Sequence, residues 1–117
     1  MKIGIIGGHG FLGLALSSLF EQEKINYQLF DIKKNSFHPS SIIGDILKPK
    51  SLEKFIKDKD YIYNFAGLSD LNESLNNPNN SAQQNIIGTL NILDLCKKFK
   101  IKKYIHASTV YVSGNKG

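Results

Sequence analysis

The sequence predicts an α/β fold: a three-layer domain with a parallel sheet of about five strands and helices on both faces. Three observations predict it. Short apolar runs alternate with amphipathic stretches along the whole chain. The first apolar run closes on glycine and passes directly into a helical pattern. The chain has 117 residues, of which 41% are apolar, enough for one compact domain with a real core.

The elements follow in order. Residues 2–7 are a short apolar run closed by glycine, the pattern of a buried parallel strand. Residues 11–23 carry Leu12, Leu16, Leu19 and Phe20 at helical spacing, which predicts an amphipathic helix with that apolar face inward. Residues 27–32 are the second strand. The polar stretch 36–41, with Pro39, is a connection. Residues 41–46 are a short third strand ending at Asp45. Residues 51–57 are a helix with Ser51 as its cap and Leu52, Phe55 and Ile56 on one face. Residues 61–66 are the fourth strand. Asn76-Asn77-Pro78-Asn79-Asn80 is a loop before a long helix over residues 81–99, and residues 103–112 contain the fifth strand. Strand-helix alternation implies right-handed crossovers, and neither a repeat nor a linker interrupts it. The last residues, Ser113-Gly114-Asn115-Lys116-Gly117, read as a turn where a further helix would ordinarily follow. The expectation is a truncated sheet, the N-terminal part of a longer parent.

Composition excludes several function classes. All fifteen basic residues are lysine and the net charge is +5. Arginine reads base edges and grips phosphate bidentately, so its absence argues against sequence-specific nucleic-acid binding. No apolar run approaches a membrane span, and the N-terminal run turns to glycine too soon for a signal peptide. A cytoplasmic protein without a membrane partner is expected. Cys96 stands alone, so no internal disulfide is possible, and its apolar helical neighbours predict a core position rather than a reactive thiol.

The strongest local pattern is Gly7-Gly8-His9-Gly10-Phe11-Leu12-Gly13. Its glycines at 7, 10 and 13 follow a strand and open a helix, the context that makes such a triplet a dinucleotide turn. Gly7 permits the turn, Gly10 leaves room for a pyrophosphate, and Gly13 lets the helix approach the strand. The free amides and the helix dipole favour a diphosphate, with Phe11 and Leu12 supplying the first helical amides. Asp31 ends the second strand eighteen residues after Gly13. A carboxylate there accepts from the adenosine ribose hydroxyls and repels a 2′-phosphate, so NAD is expected over NADP, although Lys33 and Lys34 work against that repulsion. His9 is expected to face the phosphates as a permissive loop residue. His9, His38 and His106 have no partners at metal spacing, so no metal site is expected.

Four further segments extend the pattern: Gly44-Asp45-Ile46; Asn64-Phe65-Ala66-Gly67-Leu68; Pro78 followed by Asn85-Ile86-Ile87-Gly88-Thr89-Leu90-Asn91-Ile92-Leu93; and Tyr104-Ile105-His106-Ala107-Ser108-Thr109 followed by Val112-Ser113-Gly114. In this order they resemble the N-terminal portion of the extended short-chain dehydrogenase/reductase group, the NAD-dependent epimerases and dehydratases of nucleotide sugars. The resemblance covers all 117 residues. It implies a Rossmann fold with strand order 3-2-1-4-5, and an Asp45–Ile46 contact with adenine. It also implies a cofactor lining from Phe65, Ala66, Gly67 and Asn85, and a homodimer through the 81–99 helix. It implies Thr109 as the catalytic hydroxyl that holds the reacting sugar oxygen, with Ser108 as the neighbouring alternative. Three positions depart from the group's pattern: Ser113 replaces its tyrosine, Asn64 stands where histidine is commoner, and Ser69 stands where UDP-galactose 4-epimerases usually carry lysine. The group's Tyr-x-x-x-Lys pair, a base and the cation that lowers its pKa, occurs nowhere in the chain. It is expected on a helix beyond Gly117, and the chain alone is expected to bind NAD without turnover. Two other readings stay open: a ketone reductase of the same superfamily, and a non-catalytic dinucleotide-binding module.

Overall fold

The computed structural model describes residues 1–66, 79 and 84–107. It contains β1 (Ile3–Ile6), α1 (Phe11–Gln22), β2 (Tyr27–Asp31), β3 (Ile42–Ile43), α2 (Pro49–Ile56) and β4 (Tyr61–Asn64). A π-helical turn (Gln84–Gly88) follows and runs directly into α3 (Thr89–Lys98), and β5 is Lys103–His106. All pairings are parallel, and the strand order is β3-β2-β1-β4-β5, as the resemblance implied. No helix among the described residues is long and apolar enough to cross a membrane.

Alternate side chains of the sheet feed two cores. Ile6, Phe30 and Ile62 pack with Leu52, Phe55 and Ile56 of α2 and with Ile92, Leu95 and Cys96 of α3. Ile3, Ile5 and Leu29 pack with Phe20 of α1. Phe30 and Phe55 meet at 5.2 Å between ring centroids. Each such fully buried side chain contributes about 1.5–3 kcal/mol relative to exposure. Burial pushes the Cys96 thiol up to about 11, the behaviour of a core thiol.

Several predicted boundaries and faces are corrected. Helix α1 buries Gly13, Ser17 and Phe20, with Leu16 at the margin, while Leu12 and Leu19 are exposed. The cause is the close approach that Gly13 demands: a Cβ there would lie 2.6 Å from the Gly8 carbonyl oxygen. Small residues therefore face the sheet and the larger leucines are rotated outward. Strand β3 is two residues long, not six, because Asp45 turns the chain: its Oδ1 accepts the Leu47 N–H at 2.9 Å. Helix α2 begins at Pro49, whose fixed φ suits the first helical position, and Ser51 lies inside the helix rather than capping it. Strand β4 stops at Asn64 because the Asn64 Oδ1 accepts the Ala66 N–H at 3.0 Å and bends the chain.

Both α1 and α3 end on lysines in the left-handed region, Lys24 at φ 57° and Lys100 at φ 54°. Each closes with a 6→1 hydrogen bond, Ile25 N–H to the Phe20 carbonyl and Ile101 N–H to the Cys96 carbonyl, both 2.9 Å.

Candidate cofactor-binding site

The described members of the expected site lie at one end of the sheet, where β1, β2, β3 and β4 present their carboxyl ends. Ligands of open parallel sheets bind at such ends.

The glycine turn hangs from β2: the Gly7 and Gly8 N–H groups donate to the Phe30 carbonyl at 2.8 and 3.0 Å. Gly7 has φ +74°, and a Cβ there would lie 2.6 Å from the Ala66 nitrogen. Gly13 sits against the carbonyls of Gly7 and Gly8. Gly10 differs. Among the described residues a Cβ on it would meet protein only at 3.5 Å, on the Gly7 carbonyl oxygen, so their packing does not require glycine there. Gly10 also caps α1 with no side-chain hydrogen bond, and the first turn holds no acidic residue. Among the described residues the opening amides at Phe11, Leu12 and Gly13 therefore have no side-chain acceptor, an arrangement that suits an anion.

Asp31 ends β2 half-buried. Its Oδ2 accepts the His9 N–H at 2.9 Å and its Oδ1 accepts the Lys33 N–H at 3.1 Å. A carboxylate has about four lone-pair sites, so two remain for hydroxyl donors. The His9 ring does not face the phosphate turn, contrary to expectation. Its Nδ1 lies 2.6 Å from the Lys33 carbonyl oxygen and its Nε2 2.8 Å from Ser41 Oγ. His38 stacks on it at 6.0 Å between centroids.

Asp45 and Ile46 follow β3 and are locked from α3. Gly88 has no room for a side chain because Ile46 occupies it, and the Asn91 Nδ2 donates to the Ile46 carbonyl at 2.9 Å. Phe65 and Ala66 follow β4, with the Phe65 N–H on the Ile6 carbonyl at 2.8 Å. Asn85 lies in the π-helical turn, and its side chain is outside the described set. Gly67, Ser108 and Thr109 also lie outside the described residues.

Sequence reasoning missed one polar chain at this end. Asn64 is fully buried. Its Oδ1 accepts from Ala66, so its Nδ2 donates to Tyr104 Oη at 3.0 Å, which in turn meets His106 Nδ1 at 2.9 Å. Burial raises the Tyr104 phenol above its ordinary range, and the Asn64 hydrogen bond opposes that rise. The substitution of asparagine for the commoner histidine was the available signal. Among the described residues no cluster of His, Cys, Asp and Glu could hold a metal ion.

Comparisons agree with this geometry. The family model described as the NAD dependent epimerase/dehydratase family matches residues 3–117. The bifunctional UDP-glucose 4-epimerase and UDP-xylose 4-epimerase 1 of Pisum sativum is 29% identical, over 97% of this chain and 38% of that protein. The dTDP-D-glucose 4,6-dehydratase of Dictyostelium discoideum is 32% identical, over 97% of this chain and 30% of that protein. The crystal structure of UDP-glucose 4-epimerase from Bifidobacterium longum in complex with NAD+ and UDP superposes with a TM-score of 0.85 at 23% identity, over 97% of this chain and 38% of that one. The chain thus spans between 30% and 38% of the length of these relatives. A parallel sheet in the expected order, a glycine turn between its first strand and helix, and a family model matched across residues 3–117 agree: the chain belongs to the NAD-dependent epimerase/dehydratase family.

Proposed function

We propose that residues 1–117 are the NAD-binding domain of an enzyme that epimerises or dehydrates a nucleotide sugar. The observation that carries the reading is that, among the described residues, Gly10 has room for a side chain beside helix amides that no side chain caps, with the Asp31 carboxylate at the next strand end. In this reading the amides of Gly10, Phe11, Leu12 and Gly13 hold the diphosphate. Asp31 accepts from the ribose hydroxyls. Asp45 and Ile46 flank the adenine, while Phe65, Ala66, Gly67 and Asn85 line the remainder. Thr109, or Ser108 beside it, holds the reacting sugar oxygen. Bound NAD supplies the hydride acceptor for the transient oxidation of the sugar. The chain contributes position and electrostatics, and without a Tyr-x-x-x-Lys pair it binds NAD and does not turn over.

Calorimetric titration of the chain with NAD and NADP tests the reading. NAD binds more tightly, and Asp31→Ala weakens NAD more than NADP. Equal losses for both would remove Asp31 from the ribose, and a preference for NADP would favour a ketone reductase of the same superfamily.

The dimer is read onto the helix after β4. Ile86, Ile87, Leu90 and Leu93 are exposed there at helical spacing, an apolar stripe of the kind that marks an interface. Sedimentation of the wild type shows self-association, and Leu90→Lys abolishes it. A monodisperse wild-type monomer contradicts the assignment.

A further inference from the structure

The cofactor reading leaves the His9 imidazole unused, although it is the most heavily bonded side chain of the glycine turn. Its ring reaches the β2–β3 connection at two points, the Lys33 carbonyl and the Ser41 hydroxyl, twenty-four and thirty-two residues away in sequence. A carbonyl oxygen only accepts, so Nδ1 carries a proton and donates to Lys33, while Nε2 pairs with the Ser41 hydroxyl. The backbone N–H of the same residue holds Asp31 Oδ2, and the Lys33 N–H holds Oδ1. His9, Asp31 and Lys33 thus form a closed circuit of three hydrogen bonds, with Ser41 as a fourth anchor. The rest of the connection is tied chiefly to itself: Phe37 and His38 donate to Asn35, and Ser41 donates to the His38 carbonyl. Lys33 and Lys34 sit on it with exposed side chains.

We infer that His9 is a positioning residue that clips the β2–β3 connection to the glycine turn and thereby sets the preference for NAD over NADP. The inference rests on the dinucleotide reading above. The physical argument is preorganisation. With the clip closed, the Asp31 carboxylate is fixed before ligand arrives, and the two lysines are held with the connection that carries them. A ribose 2′-hydroxyl then meets a fixed acceptor, and a 2′-phosphate meets a fixed negative charge. With the clip open, the carboxylate must be ordered on binding, and the lysines are free to follow a 2′-phosphate, which carries nearly two negative charges. His9 touches neither the diphosphate nor the ribose in this scheme; it acts through Asp31 and Lys33.

The test is calorimetric titration of NAD and NADP into the wild-type chain and into His9→Ala, His9→Asn and Ser41→Ala, each checked by thermal melting. His9→Ala is expected to weaken NAD about tenfold, the loss that one or two hydrogen bonds produce, and to lower the NAD-to-NADP affinity ratio. Ser41→Ala is expected to move both quantities in the same direction by a smaller factor. His9→Asn is expected to recover part of the ratio, because its amide N–H can still donate to the Lys33 carbonyl. A wild-type chain that binds neither dinucleotide overturns the cofactor reading itself. A wild-type chain that binds NAD, with Ser41→Ala and any folded His9 variant unchanged in ratio, overturns the clip alone. A His9→Ala variant that loses NADP more than NAD also overturns it, since the ring would then contact the 2′-phosphate directly. If His9→Ala fails to fold, Ser41→Ala and His9→Asn decide the question alone.

Discussion

Alanine at each of the three fingerprint glycines separates what the turn does for folding from what it does for a ligand. Gly7→Ala forces a Cβ into the left-handed region, which costs about 1–2 kcal/mol. It also drives that Cβ to 2.6 Å from the Ala66 backbone nitrogen, where ordinary contact needs at least 3.4 Å. Backbone cannot swing aside as a side chain does, so the overlap adds about 1–3 kcal/mol. Gly13→Ala meets the Gly8 and Gly7 carbonyl oxygens at 2.6 and 2.7 Å. That overlap costs a similar 1–3 kcal/mol, partly offset by about 0.5–1 kcal/mol of improved helix propensity. Gly10→Ala meets nothing closer than 3.5 Å among the described residues, and its backbone at φ −77°, ψ 177° suits any residue. Alanine is a poorer helix cap than glycine, but it restricts the unfolded chain by about 0.4–1 kcal/mol, and the two effects nearly cancel.

The expected order of destabilisation is therefore Gly7→Ala, then Gly13→Ala, with Gly10→Ala close to wild type. Thermal melts followed by far-ultraviolet circular dichroism read it, at roughly 4 °C per kcal/mol for a chain of this size. Affinity for NAD reverses the logic: Gly10→Ala, the best folded of the three, loses at least about tenfold, because its methyl occupies the space a diphosphate needs. A Gly10→Ala protein that melts as early as Gly13→Ala would show that Gly10 serves packing. One that keeps full NAD affinity would show that no diphosphate lies against it.

Further predictions follow from other parts of the fold. The Cys96 thiol is raised by burial from 9.0 to about 11. An acid whose folded pKa is raised stabilises fully below its unfolded pKa, so stability should fall by on the order of 2 kcal/mol as pH rises from 9 to 11. Denaturant melts of Cys96→Ala should be less stable at neutral pH and should lack that alkaline slope; an unchanged slope refutes the assignment. Lys24→Gly and Lys100→Gly relieve left-handed strain at the two helix ends and should each raise stability by about 0.5–1 kcal/mol in the same melts. Asn91→Ala strips the Ile46 carbonyl of this donor and should cost about 1–3 kcal/mol in stability, with weaker NAD binding if the turn at Asp45 and Ile46 flanks the adenine as proposed. Tyr104→Phe removes the link between Asn64 and His106 and should cost about 1 kcal/mol, with the His106 imidazole resonances shifted in a proton spectrum.

The parallel α/β architecture was legible in local signals, while the strand order came from the family resemblance. Apolar runs closed by glycine mark parallel strands, and Gly7-Gly8-His9-Gly10 followed by a helical period marks the turn. The errors fall where packing against backbone outranks hydrophobicity. Helix α1 buries Gly13 and Ser17 and exposes Leu12 and Leu19, an inversion that no apolar periodicity encodes. The third strand is short because one carboxylate, Asp45, captures a nearby amide, a choice between turn and ladder that composition leaves open. The His9 ring escaped prediction for another reason: both of its partners lie in a connection whose path is set by tertiary structure.

The structure also explains why short, individually weak motifs carry so much information together. Each is one side of a contact whose other side is a different motif. Gly7 of the fingerprint has no side chain because Ala66, after the fourth strand, fills that place. Ile46, after the third strand, packs into the space that Gly88 leaves and is held by Asn91, so the glycine and the asparagine of the helix motif answer to one residue of the turn after β3. Asn64 of the fourth strand binds Tyr104 of the fifth. A change on one side therefore strains the other, and the segments constrain one another as parts of a single packed edge. Gly10 stands outside this scheme because, among the described residues, its missing side chain would make only an ordinary contact, 3.5 Å to the Gly7 carbonyl oxygen. Among the described residues, packing accounts for Gly7, Gly13 and Gly88 and leaves Gly10 to be tested by its affinity for NAD.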